Sequence, residues 1–213
     1  NRKNNEKLFF MGITMQNHGG YTETYDNFPE NYYKVGRSYT DANQYLSLVH
    51  ESDEAVKNLI SYFSKVDDPV EIIFFGDHQP SLNSNFYPIL NGKGLTGLTE
   101  DELEKLYTVP FFIWTNYDTP EETVDITSLD YLSTMALERA GIELPAYNKF
   151  LADMQEVVPA INSRGYYSKS AGGFLHIEEA TGEEADWIRN YNILQYNNMF
   201  DKKEKSEVFF PYL

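Results

Sequence analysis

The sequence predicts an α/β fold in which a mostly parallel sheet is flanked by helices. Three observations carry this reading. Short β-branched and aromatic runs alternate with amphipathic stretches, the order that lays helices on the faces of a parallel sheet. One run, Val70-Glu71-Ile72-Ile73-Phe74-Phe75, lies between Pro69 and Gly76 and reads as a buried, central, parallel strand. Hydrophobic residues make up 41% and aromatics 15% of the 213 residues, which supports a packed core rather than a disordered acidic chain.

Each element follows in order. Leu8-Phe9-Phe10-Met11-Gly12-Ile13 is strand-like and runs into a turn marked by Gly19-Gly20. Residues 21–38 lack periodicity and read as a surface loop. Thr40 or Asp41 can cap a long amphipathic helix ending near Lys65, with Ala42, Tyr45, Leu46, Val49, Val56, Leu59, Ile60 and Phe63 on one face. Ser52 and Asp53 interrupt that face, so Asp53 is expected to be buried and bonded to backbone groups. After the strand over 70–75, residues 79–98 are a polar loop. Thr99 with Glu102 forms a capping box for a short acidic helix over 100–106.

Val109-Pro110-Phe111-Phe112-Ile113-Trp114 is a further strand, with Pro110 near its start where a missing N–H is tolerated. Thr127 or Ser128 opens a helix over 129–140, which Gly141 closes. A helix over 147–157, a hairpin over 166–177 and a helix from Glu183 to about Met199 complete the chain. No repeat or linker divides it, so residues 1–213 are expected to form the C-terminal part of one domain. The abrupt opening, with core-like sequence soon after Asn1, is expected of a piece of a longer protein.

Charge and composition exclude several functions. Seventeen basic against 33 acidic residues leave a net charge of −16, which opposes binding to nucleic acid or anionic lipid. With no cysteine, disulfides, zinc–thiolate sites, iron–sulfur clusters and thiol nucleophiles are ruled out within these residues. No apolar run reaches membrane-span length. There is no Gly-x-Ser-x-Gly elbow, Walker loop or dinucleotide fingerprint.

In parallel sheets chemistry collects beyond the carboxyl ends of strands, where this chain places Asn17-His18 and Asp77-His78. A carboxylate beside an imidazole suits Mn²⁺ or Zn²⁺, with Gly76 giving the backbone freedom to turn both toward one ion. The alternative is that Asp77 begins a turn and His78 is an ordinary loop residue. His18 can give a ring N–H to a phosphate or sulfate oxygen, or be a polar turn histidine. His50 is assigned to structure and His176 to no role. The acidic cluster Glu178, Glu179, Glu183, Glu184 and Asp186 reads as a solvated helix start.

Ile13-Thr14-Met15-Gln16-Asn17-His18-Gly19-Gly20-Tyr21 and Phe75-Gly76-Asp77-His78-Gln79-Pro80-Ser81-Leu82 resemble two signature segments of the lipoteichoic acid synthase-like phosphoglycerol transferases, of the sulfatase and alkaline phosphatase superfamily. The resemblance extends to Tyr45-Leu46, Ser52 to Ala55, Val109 to Ile113, the helix around Asp130 to Gly141 and the tail from Tyr191 to Tyr196.

The resemblance implies an alkaline phosphatase/sulfatase-like fold, incomplete on its N-terminal side. It also implies a membrane-anchored enzyme on the extracellular face of a bacterial cell, moving phosphoglycerol from a lipid onto a glycolipid or polymer. By the same resemblance Asp77 and His78 are metal ligands, for Mn²⁺ by preference or Zn²⁺ or Mg²⁺, and His18 contacts the substrate phosphate. The threonine nucleophile and a glutamate ligand are implied upstream of residue 1, so the chain itself is expected to fold, bind metal weakly and catalyse nothing. His18, Asp77 and His78 are expected to converge at one sheet edge. Two other readings stand beside this one: a sulfatase or phosphoethanolamine transferase of the same superfamily, and a non-catalytic glycan- or polyanion-binding module.

Overall fold

The computed structural model describes residues 6–23, 25–28, 39–201 and 203–211. The chain divides into two units, Asn1–Lys65 with Gln79–Gly97, and Val66–His78 with Leu98–Leu213.

The first unit is built on helix α1, Thr40–Phe63. Its N-cap is Tyr39, which offers no side-chain cap, and neither Thr40 nor Asp41 takes that place. Asp41 instead accepts the backbone N–H of Asn83 at 2.5 Å. The face of α1 differs from expectation. Ala42, Gln44 and Ser47 are buried, whereas Val49 and Leu59 are exposed. Asp53 is exposed, not buried, so the apolar pattern misphased the helix. The polar residues on the buried face are satisfied: Gln44 donates to the Glu23 carbonyl and Ser47 to the Asn43 carbonyl.

Residues 8–13 do not form the expected strand. They are irregular and exposed, Phe9 at 87%, because no described segment pairs with them. A short helix α2, Tyr87–Asn91, ends on Gly92 in the left-handed conformation (φ +72°) and lies in the stretch read as loop.

The second unit holds β1, Glu71–Phe75, and β2, Phe111–Thr115. They pair antiparallel, Glu71 opposite Thr115 and Phe75 opposite Phe111, with Phe74 stacked on Phe112 at 5.3 Å. This corrects the expectation of a mostly parallel sheet with β1 at its centre. Among the described residues every strand pair is antiparallel. The chain between β1 and β2 holds two helices of five residues each, α2 and α3 (Glu100–Glu104). In a two-stranded ribbon β1 also cannot be covered on both faces, and Phe74 and Phe75 are partly exposed.

The rest of this unit follows the sequence closely. Helix α3 carries the capping box, with Thr99 Oγ1 accepting Glu102 N–H and Glu102 accepting Thr99 N–H. Helix α4, Leu129–Arg139, ends before Gly141 at φ +65°. Helix α5 is Ala146–Val157, the hairpin is β3, Gly165–Ser168, with β4, Gly173–His176, and helix α6 is Gly182–Met199. Tyr131, Leu151, Met154, Val158, Ile161, Tyr166 and Ile188 form the core. Burying each large side chain is worth about 1.5–3 kcal/mol. Its polar edges are closed by Tyr131, which donates to the Val158 carbonyl at 2.8 Å, and by Glu184, which accepts from Tyr166 and Ser168.

Candidate functional site

β1 fixes where Asp77 and His78 begin. Gly76 continues the ribbon by donating its N–H to the Pro110 carbonyl at 3.2 Å. Its backbone is not left-handed, so glycine is not needed there for a turn. It is needed for space: a Cβ on Gly76 would lie 3.0 Å from Val109 Cβ and 3.2 Å from Cγ1. This corrects the role expected of Gly76 and shows that Val109 packs directly beneath the exit of the strand.

Beyond Gly76 both candidate ligands are exposed. Asp77 Oδ1 accepts the His78 backbone N–H at 3.0 Å, and its Oδ2 lies 3.7 Å from His78 Nε2. Adjacent ligands on one tetrahedral ion sit about 3.3–3.5 Å apart. A carboxylate oxygen and an imidazole nitrogen at 3.7 Å therefore fit two positions on one divalent ion after a shift of a few tenths of an ångström. Among the described residues no group of three or more His, Asp or Glu side chains gathers that could hold a metal ion.

His18 lies in the first unit, in a turn closed by its N–H to the Met15 carbonyl at 3.1 Å, and its side chain is exposed. The turn is tied to α1. Ser52 donates to Asn17 Oδ1 at 3.1 Å, and the Tyr21 hydroxyl donates to the Asn17 carbonyl at 2.7 Å while its ring meets Tyr45 edge-on at 5.5 Å. Ser52, which broke the apolar pattern, is thus the residue that anchors the turn carrying His18. The structure brings Asp77 and His78 together; His18 belongs to the other unit.

Sequence reading passed over a second polar cluster. The acidic face of α3 meets the β3–β4 hairpin: Glu104, 4% exposed, accepts from Asn162 Nδ2 at 2.5 Å and lies 3.5 Å from Arg164 Nε. Glu100 is 3.4 Å from both Arg164 and His176, and Asp101 accepts the Phe174 N–H at 2.9 Å. The one local signal was Asn162 in Asn162-Ser163-Arg164-Gly165, whose Oδ1 accepts the N–H groups of Arg164 and Gly165.

Comparison with known proteins places the chain in a family. Residues 1–142 match the family described as Sulfatase, and the chain belongs to that family. It is 27% identical over 222 residues to a putative cyclic beta-1,2-glucan modification protein of Rhizobium meliloti (strain 1021), covering 96% of this chain and 33% of that protein. It is 37% identical over 79 residues to the capsular polysaccharide biosynthesis protein RkpI of the same organism, covering 37% of this chain and 13% of that one. Its fold matches that of the Streptococcus pyogenes phosphoglycerol transferase GacH, solved in complex with sn-glycerol-1-phosphate, with a TM-score of 0.59 at 18% identity, over 87% of this chain and 42% of that one. The chain spans about a third of the length of the first of these relatives.

Proposed function

We propose that the chain is part of a metal-dependent phosphoglycerol transferase of the sulfatase superfamily. It would act on phosphodiester-bearing lipid or polymer and deliver phosphoglycerol to a glycan acceptor. The observation that carries the proposal is the Asp77–His78 pair at the end of β1, two adjacent donors within the segment that matches the family. The solved structural neighbour, a phosphoglycerol transferase holding sn-glycerol-1-phosphate, supports the substrate class. The names of the two Rhizobium relatives support a glycan acceptor.

Asp77 and His78 would hold the ion, manganese by preference, through a carboxylate oxygen and an imidazole nitrogen. Bound there, it would neutralise the negative oxygens that make a phosphodiester resist attack and would lower the pKa of an attacking hydroxyl. His18 would donate a ring N–H to a phosphoryl oxygen, favouring the charge that builds as the ester bond breaks. With two donors, the chain alone binds metal weakly and turns nothing over, since tight sites usually need three or four protein ligands. The transferase would work on the outer face of a bacterial membrane, where its lipid donor is; among the described residues no helix is long and apolar enough to cross a membrane.

The test is release of glycerol phosphate from phosphatidylglycerol in Mn²⁺, for this chain and for a polypeptide extended to the length of its relatives. Activity in the extended protein only, lost in Asp77→Ala, is expected. Cleavage of an aryl sulfate with no action on the phospholipid would replace this reading with the sulfatase one. Turnover by the short chain, abolished in Asp77→Ala, would overturn the claim that two donors do not suffice.

A further inference from the structure

The turn that packs beneath the metal-ligand pair is held from outside by a buried charge. Residues 105–110 run from α3 into β2, and Val109 and Pro110 within them touch Gly76, directly before Asp77. Glu104 governs this turn twice. Its backbone carbonyl accepts the Tyr107 N–H at 2.9 Å and the Thr108 hydroxyl at 3.0 Å. Its side chain is sunk against the hairpin, bonded to Asn162 and facing Arg164, whose guanidinium also lies over the Tyr107 ring at 5.3 Å.

Burying a carboxylate here is a poor way to gain stability. Desolvation costs nearly what the pairing returns, and apolar replacements of buried ion pairs are often neutral or stabilising. A five-residue helix is also too short to hold its own position. A buried, directional contact does what an apolar one cannot: it accepts one angular setting of α3 and refuses others. Arg164 Nε is buried with no hydrogen bond of ordinary length, and the nearest carboxylate oxygen is Glu104 Oε1 at 3.5 Å. The close bond that orients the Glu104 carboxylate is therefore the one from Asn162 Nδ2 at 2.5 Å, with the Arg164 charge facing it.

We propose that Glu104 is a positioning residue for Asp77 and His78. Its carboxylate, bonded to Asn162 and facing the charge of Arg164, sets the 105–110 turn, and that turn sets the direction in which the chain leaves β1. The inference rests on the reading of Asp77 and His78 as metal ligands, but the geometric claim can be read without metal.

The experiment compares Glu104→Gln, Thr108→Val and Ser168→Ala. The last breaks the clamp on Glu184 within the same unit and serves as a control for general loosening. Amide signals of Gly76, Asp77 and His78 are followed by NMR in metal-free protein, and Mn²⁺ affinity is measured by titration. Glu104→Gln is expected to move those signals and weaken Mn²⁺ binding about tenfold, as loss of a supporting partner does elsewhere. Thr108→Val should act in the same direction with smaller amplitude, and Ser168→Ala should do neither. Unmoved signals in Glu104→Gln, or equal movement in Ser168→Ala, would overturn the proposal; if Glu104→Gln does not fold, Thr108→Val decides on the same signals. Mn²⁺ binding that survives Asp77→Ala would defeat the metal reading instead, while the metal-free signals still decide the role of Glu104.

Discussion

Replacing Gly76 by alanine tests the packing of Val109 beneath the exit of β1, directly before Asp77. The added Cβ would lie 3.0 Å from Val109 Cβ and 3.2 Å from Cγ1. Carbon atoms in ordinary contact stand about 3.5–4.0 Å apart, so the overlap is roughly 0.5–1 Å at its closest. Forcing one methyl into packed surroundings costs about 1–3 kcal/mol. Against this, alanine narrows the unfolded ensemble and recovers about 0.4–1 kcal/mol, because the backbone at residue 76 is open to L-residues. The net loss expected is about 0.5–2 kcal/mol. With a urea dependence of about 2 kcal/mol per M, the midpoint should fall by roughly 0.3–1 M. Adding Val109→Ala removes both γ carbons and should recover part of the loss, a non-additivity that separates direct contact from general damage. An unchanged or raised midpoint in Gly76→Ala, or strict additivity in the double variant, would refute the close approach.

Three further outcomes follow from the second unit. Ser128 Oγ both accepts the Ile161 N–H and donates to the Ile161 carbonyl, each at 2.6 Å, so Ser128→Ala strands two buried backbone groups and should cost about 2–4 kcal/mol in urea unfolding. Burial raises the Glu71 carboxyl above its usual 4.5, against the lowering effects of the Tyr117 hydroxyl and Arg139. A raised folded pKa favours the folded state below the unfolded value and loses that advantage as pH rises, so Glu71→Gln should stabilise at pH 7 and the gain should vanish below about pH 4.5. Burial first, and then the charge of Asp130, push Tyr147 from 10.0 up to about 12, and Tyr131 and Tyr191 shift the same way. Stability should therefore decline from about pH 10 upward, more steeply than in Tyr147→Phe.

What could be read in the sequence was local. The Thr99–Glu102 capping box, Gly141 after α4 and the hairpin near Tyr166 each need only neighbours in the chain, and each is present. The face of α1 was not, because Gln44 and Ser47 are made burial-competent by the carbonyls of Glu23 and Asn43, which apolar periodicity does not register. The direction of β2 was not legible, because neither strand's composition says which way its partner runs. Residues 8–13 have strand composition, but a strand is a pairing, and no described segment supplies a partner. Glu104 carried no reading of its own within the short acidic helix. Its burial depends on Asn162 and Arg164, too distant in sequence for any motif to join.

The central claim is that Asp77 and His78 ligate one divalent ion. Paramagnetic broadening by Mn²⁺ addresses it directly, because signals fade in order of distance from the bound ion. With substoichiometric Mn²⁺, the account predicts that amides 76–78 and the His78 ring fade first, and that Asp77→Ala abolishes this preference. Broadening centred instead on the acidic residues 178–186, or spread evenly over a chain of charge −16, would contradict it.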